Sequence, residues 1–332
     1  MDPDLFKKLQ AEGLISDNAA QKVKALEEHR LFSLHWELRT ILYLGIILLS
    51  GGLGVLVYKN IDTIGHQVIL IFIALVCAGS FYYCFRNKPP FSRLQVPAPN
   101  SFFDYILLLG CLTFITFIGY LQFEYAFFGE AYGLATFIPM IVLFFSAYYF
   151  DHLGILSLAI TNLAAWAGIA VTPLTILREN NFDHERLIYT GLALGVLLVL
   201  MGLTSERRNF KRHFEFTFTN FGVHILFVSG LAGLFVHAHI YGLWFSLLLG
   251  LAYFFYRLAI KRSSFYFLLI ITLYTYIALS YVVVRILWVL VDKSGDATPI
   301  YLGLLYFIFS GVGLIRLLMY WNKKIKAHDS LQ

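Results

Sequence analysis

Ile64–Phe85 reads IGHQVILIFIALVCAGSFYYCF and contains no Asp, Glu, Lys or Arg. A helix rises ~1.5 Å per residue, so a run of this length reaches across the ~30 Å hydrocarbon core of a bilayer. Its apolar residues are continuous rather than alternating, which argues against a barrel strand. Within lipid only a helix or a closed barrel satisfies every backbone N–H and C=O. The stretch therefore predicts a transmembrane helix.

Nine more runs of this kind accompany it: Thr40–Tyr58, Phe102–Phe123, Tyr132–Phe150, Leu153–Leu177, Leu187–Leu203, Phe216–Val236, Ile240–Tyr256, Phe265–Val291 and Ile300–Trp321. The sixth and eighth are short. The chain is 59% hydrophobic and only 14% charged, with a mean hydropathy of +0.73. That is too little charge to cover a soluble domain of 332 residues. The expected fold is all-α, a polytopic bundle of about ten transmembrane helices. The net charge of +5 does not point to nucleic acid, because the cations lie in short blocks between apolar runs. The first 37 residues are polar and helix-prone, with no visible signal peptide.

The cations set an orientation. With the N-terminus inside, cytoplasmic segments hold 20 of the 25 Lys and Arg, including Arg207, Arg208, Lys211 and Arg212 between the sixth and seventh spans. Lys59, Arg178, Arg186 and Lys293 fall outside and Arg285 lies within a span. This asymmetry predicts both termini in the cytoplasm, with the lipid bilayer as the surrounding partner.

On this reading the loop GYLQFEYAFFGEAYG, Gly119–Gly133, faces outward. Its Glu124 and Glu130 are either solvated loop carboxylates or an entry site for a cation at the outer mouth. Arg285 lies near the outer end of the ninth span, in a stripe with Tyr274, Tyr281, Trp288 and Asp292. A guanidinium at that depth needs water or an acceptor, so Glu124, Glu130, Arg285 and Tyr281 form a candidate outer cluster. Deeper in the membrane, His224, Asn220 and Asn162 are a candidate polar site, with Thr217 on the His224 face. Interhelical hydrogen bonding is the plainer reading of the asparagines. Pro173 interrupts the outer end of the fifth span.

No catalytic, cofactor or metal motif is visible. The chain has no lysine-bearing phosphate loop, no Gly-x-Ser-x-Gly and no His-Glu-x-x-His. His66 and the pair His237/His239 lack metal spacing. Cys77, Cys84 and Cys111 lie within apolar runs and read as small packing residues. Gly45, Gly51, Gly52, Gly54 and the pair Gly191/Gly195 read as sites of close helix packing.

LIYTGLALG from Leu187 and PIYLGLLYF from Pro299 echo each other at an offset of 112. The third to sixth spans then align with the seventh to tenth. This predicts a parallel four-helix repeat and units at 1–37, 38–101, 102–212 and 213–332. Tight turns, FDHL and IKRS, join the paired helices in both copies.

LFKKLQAEGLISDNAAQKVKALEEH, Leu5–His29, reads as a cytoplasmic helical hairpin. Gly13 ends one helix, and Ser16 or Asp17 caps the next. Residues 1–37 could engage a cytoplasmic protein partner or lie on the membrane. The order of AEGLIS before a glycine-rich span ending GGLGVLVYKNID resembles the bacterial membrane-protein family named domain of unknown function 2157. The turn Lys59-Asn60-Ile61-Asp62 resembles that family's outer turn, with Ile61 where a tryptophan is common, and GYLQFEY resembles its glycine-plus-glutamine stretch. The resemblance covers about the first 180 residues and implies no activity, catalytic residue or cofactor. Three functions follow from the sequence. The first is a transporter-like bundle for a small molecule or ion. The second is a non-transporting scaffold or regulator. The third is an intramembrane enzyme acting on a lipid-linked substrate, which His224 without a carboxylate supports poorly.

Overall fold

The computed structural model describes residues 34–59, 65–171, 185–262, 264–294 and 298–329. Most of the expected N-terminal hairpin, Asn60–Asp62 and Pro173 lie outside them. The described chain is all-helical. Its helices are α1 Leu34–Lys59, α2 His66–Asn87, α3 Ser101–Tyr125, α4 Tyr132–Phe150, α5 Leu153–Val171, α6 Glu185–Arg207, α7 Glu215–Val236, α8 Tyr241–Lys261, α9 Phe265–Ser294 and α10 Thr298–Asp329. Among the described residues, α2 to α10 are each long and apolar enough to cross a membrane; in α1 the corresponding stretch, Thr40–Val55, is shorter.

The chain divides into two units, Met1–Asn87 with Asn100–Thr113, and Lys88–Pro99 with Phe114–Gln332. In the first, the Asn100 side chain accepts a hydrogen bond from the Phe103 N–H at 2.7 Å and caps α3. Small residues let α2 approach α3. A Cβ on Gly110 would sit 3.0 Å from that of Ser80, and the Cys77 thiol points at the Gly110 carbonyl at 3.6 Å. All three cysteines are buried free thiols, in keeping with the packing role expected of them. The glycines of α1 behave differently from expectation. A side chain at Gly45, Gly51, Gly52 or Gly54 would meet nothing within 4 Å.

In the second unit the core gathers α6, α7, α8 and α9 around Val223, Phe227, Leu234, Trp244 and Phe255. The tightest seam joins α6 to α7. A Cβ on Gly195 would meet Leu226 Cγ at 2.6 Å, and one on Gly222 would meet the Gly195 carbonyl at 3.0 Å. The packing expected of Gly191 and Gly195 is thus present, since lipid-embedded helices associate through close backbone approach. The α6 and α8 helices outrun their apolar runs, extending through Ser205, Glu206 and Arg207 and through Arg257 and Lys261. Polar residues continue a helix readily once it leaves hydrocarbon.

Candidate functional site

Three connections meet at one end of the second unit: the α4–α5 turn, the α6–α7 turn and the segment Lys88–Pro99. The last carries Pro89, Pro90, Pro97 and Pro99, which remove backbone donors and exclude a helix. Its carbonyls are therefore available to others. Asp151 ends α4 in a left-handed conformation with φ of 61°, which Asp tolerates better than most residues. Lys211 adopts a similar backbone, φ 50°. Its N–H donates to the Arg93 carbonyl at 2.8 Å, and its carbonyl accepts from Ser205 Oγ at 3.0 Å.

These two residues form a buried ion pair. Lys211 Nζ lies 3.0 Å from Asp151 Oδ2, with the side chains 1% and 2% exposed. The same carboxylate oxygen accepts from the Val96 N–H at 2.5 Å, and Oδ1 lies 2.6 Å from His213 Nε2. The ammonium also donates to the Leu94 carbonyl at 3.3 Å and faces the Phe91 ring at 5.2 Å. Burying charge is tolerable only where the remaining donors and acceptors are matched, and here they are. Tyr148 reinforces the joint from α4, stacked on Phe210 and edge-on to Phe214.

A second charged joint lies beside α7 on the same α6–α7 turn. Arg262, after α8, reaches Glu206 of α6 at 2.6 Å and also pairs with Glu215 at the head of α7. Thr219 donates to Glu215 Oε1 at 2.6 Å. A planar guanidinium holding two carboxylates fixes geometry as well as charge. Together the joints tie α4, α6, α7 and the α8–α9 turn at one end, called here the basic end.

Of the expected intramembrane set, His224 and Asn220 come together through α9. His224 Nδ1 lies 2.8 Å from the Tyr274 hydroxyl and Nε2 lies 3.4 Å from that of Tyr266, which donates to Asn220 Oδ1 at 2.9 Å. Asn162 does not join them; it donates to the Leu158 carbonyl of its own helix at 3.4 Å. In the expected outer cluster, Arg285 meets two tyrosines. Its Nη1 donates to the Tyr281 hydroxyl at 3.2 Å, and the guanidinium lies 4.5 Å from the centre of the Tyr241 ring. No ion pair joins Arg285 to Glu124 or Glu130 among the described residues. Both glutamates are exposed, Glu124 in the last turn of α3 and Glu130 on the turn after it, which Gln122 closes by accepting from the Phe128 N–H at 2.9 Å and donating to the Gly129 carbonyl at 3.0 Å. His237 packs on Trp244 and contacts Glu185 at 3.3 Å. No group of three His, Cys, Asp or Glu suited to a metal occurs among the described residues.

Asp151 and Gln122 both lie within a stretch that has relatives. Residues 7–156 match the family described as Predicted membrane protein (DUF2157). The resemblance read from AEGLIS and the glycine-rich span is thus borne out over the N-terminal half, and the protein is a membrane protein with many apolar helices. The DUF2157 match ends just past the α4–α5 turn, so it includes Asp151 while Lys211, His213 and Arg262 lie beyond it. Neither a curated protein nor a solved structure matches the chain.

Proposed function

We propose that this protein is a membrane scaffold or regulator whose basic end is a fixed platform on the cytoplasmic side of a bacterial inner membrane. In this reading residues 1–37 engage a cytoplasmic protein partner. The observation that carries it is the buried joint of Asp151, Lys211 and His213. A carrier must separate its helix ends on each side in turn. Separation here would strip two buried charges of their partners, at about 3–5 kcal/mol for one pair broken from one side. The Arg262 fork adds to that resistance. The Lys and Arg asymmetry of the loops supports the orientation.

Spin labels at Leu153 and Ile260, both exposed beside the joints, test the reading without a known substrate. In liposomes a single narrow distance distribution is expected, unchanged by an imposed proton or sodium gradient. Two populations whose ratio follows the gradient would replace the scaffold with a transporter. That second reading has one observation of its own, the chain Asn220–Tyr266–His224–Tyr274, since ionisable groups within spans often serve proton relays. For a transporter, His224→Phe would abolish the gradient response.

A further inference from the structure

A groove of about 620 Å³ opens between α8, α9 and α10. This lies within the ~300–1,000 Å³ common for small-molecule sites. Its walls include Leu249, Ala252, Ile271, Leu279, Leu314 and Leu317. Several of the hydroxyls along it are already engaged. Tyr276 pairs with Ser310 at 3.0 Å, while Thr272 and Thr275 donate to carbonyls of their own helix. The surface offered to an occupant is therefore mainly apolar.

Along α10 the lining runs from Tyr306 to Trp321, about 22 Å at ~1.5 Å per residue. One leaflet's share of a ~30 Å core is about 15 Å, so the groove is long enough for an acyl chain. At its end Trp321 packs edge-on against Tyr256 at 5.6 Å. A second hollow begins at Tyr256 and is bounded by Arg257 and Lys261. Both cations are exposed, and neither has an ion pair or hydrogen bond among the described residues. An apolar channel of leaflet length thus ends at two exposed cations, Arg257 and Lys261, where the helix leaves the membrane. We infer that this groove holds an anionic phospholipid of the leaflet on the basic side, its acyl chain between α8, α9 and α10 and its phosphate at Arg257 and Lys261.

Charge complementarity selects the occupant. A second copy of this chain would have to place an acidic group at Arg257 and Lys261, whereas anionic lipid does so from any position in the leaflet. The site is independent of the platform reading, because a transporter could carry the same lipid.

Native mass spectrometry of the full-length protein, with phosphatidylglycerol and phosphatidylcholine supplied in turn, tests the inference. Phosphatidylglycerol should be retained preferentially. Removing each cation, as Arg257→Ala and Lys261→Ala, should weaken retention about fivefold. Gly313→Phe should displace the lipid, since Gly313 lines the groove and a side chain there meets nothing within 4 Å. Should that variant not fold, phosphatidylglycerol with a photoreactive acyl chain should label the wild type within Ile271–Leu279 and Tyr306–Trp321. Equal retention of both lipids, label elsewhere, or retention unaffected by a folded Gly313→Phe would each overturn the site. So would a lipid-free dimer that Gly313→Phe disrupts, which would give the groove to a second copy.

Discussion

Of the membrane-crossing stretches of α7 and α10, the second is the more apolar. Its span has a mean hydropathy of 2.0 against 1.6 for Arg212–Val236, yet half of the α7 window is buried within the chain and none of the α10 window is. In water that order would be reversed, because burial follows apolar area. Lipid tails are as apolar as leucine, so helices associate through close approach and polar partners instead. The α7 helix has both. Gly222 admits α6 to within contact of its backbone, Glu215 is held by Arg262, and His224 meets Tyr274. Glycines occur on α10 as well, but a side chain at Gly311 or Gly313 would touch nothing within 4 Å. Its described side-chain links to α9 are hydroxyl pairs, Ser310 with Tyr276 and Tyr306 with Ser280.

The contrast can be broken at several points. Lys211→Met should have the largest effect, about 3–5 kcal/mol, because Asp151 stays buried with its charge partly unmatched. The measurement is thermal unfolding in detergent, and a loss below about 1 kcal/mol would mean that charge does not hold the basic end. Next comes Gly222→Leu at about 1–3 kcal/mol, since even a Cβ there meets Val199 Cγ2 at 2.7 Å. If this variant melts like the wild type, the α6–α7 seam is looser than described. Gly311→Ala on α10 sharpens the comparison from the other side. It should stay within about 0.5 kcal/mol of the wild type, and a loss matching that of Gly222→Leu would show α10 to be packed against a partner.

Much of this architecture was legible in the sequence. The run Tyr132–Phe150 coincides with α4, and Cys77, Cys84 and Cys111, read as small packing residues, are indeed buried. Period and hydropathy are local properties, so they survive without knowledge of the fold. The joints are not local. Asp151 lay in the turn FDHL, and Lys211 counted among the loop charges that set orientation. Their pairing depends on three connections folding to one end, which no spacing announces. The outer cluster was legible in part: Arg285 meets Tyr281 as grouped, and no ion pair joins it to Glu124 or Glu130 among the described residues. Arg285 needed an acceptor, and the acidic loop offered carboxylates, but tyrosines on its own and the neighbouring helix were closer to hand. The pair Asn220 and His224 was found from their four-residue spacing, while Tyr266 and Tyr274, which join them, come from a different helix.

A double-mutant cycle on Asp151 and Lys211 tests the central claim, that a buried charge pair fixes the basic end. Asp151→Asn removes the charge while its amide oxygen can still accept from the Val96 N–H and its NH2 face His213, and it leaves the ammonium unpaired; Lys211→Met does the converse. Each change alone should cost about 3–5 kcal/mol, and the double variant should recover at least about 2 kcal/mol of their sum, because no unmatched Asp151–Lys211 charge then remains buried. Losses that simply add would show that the two groups do not act on each other, and the platform would lose its foundation.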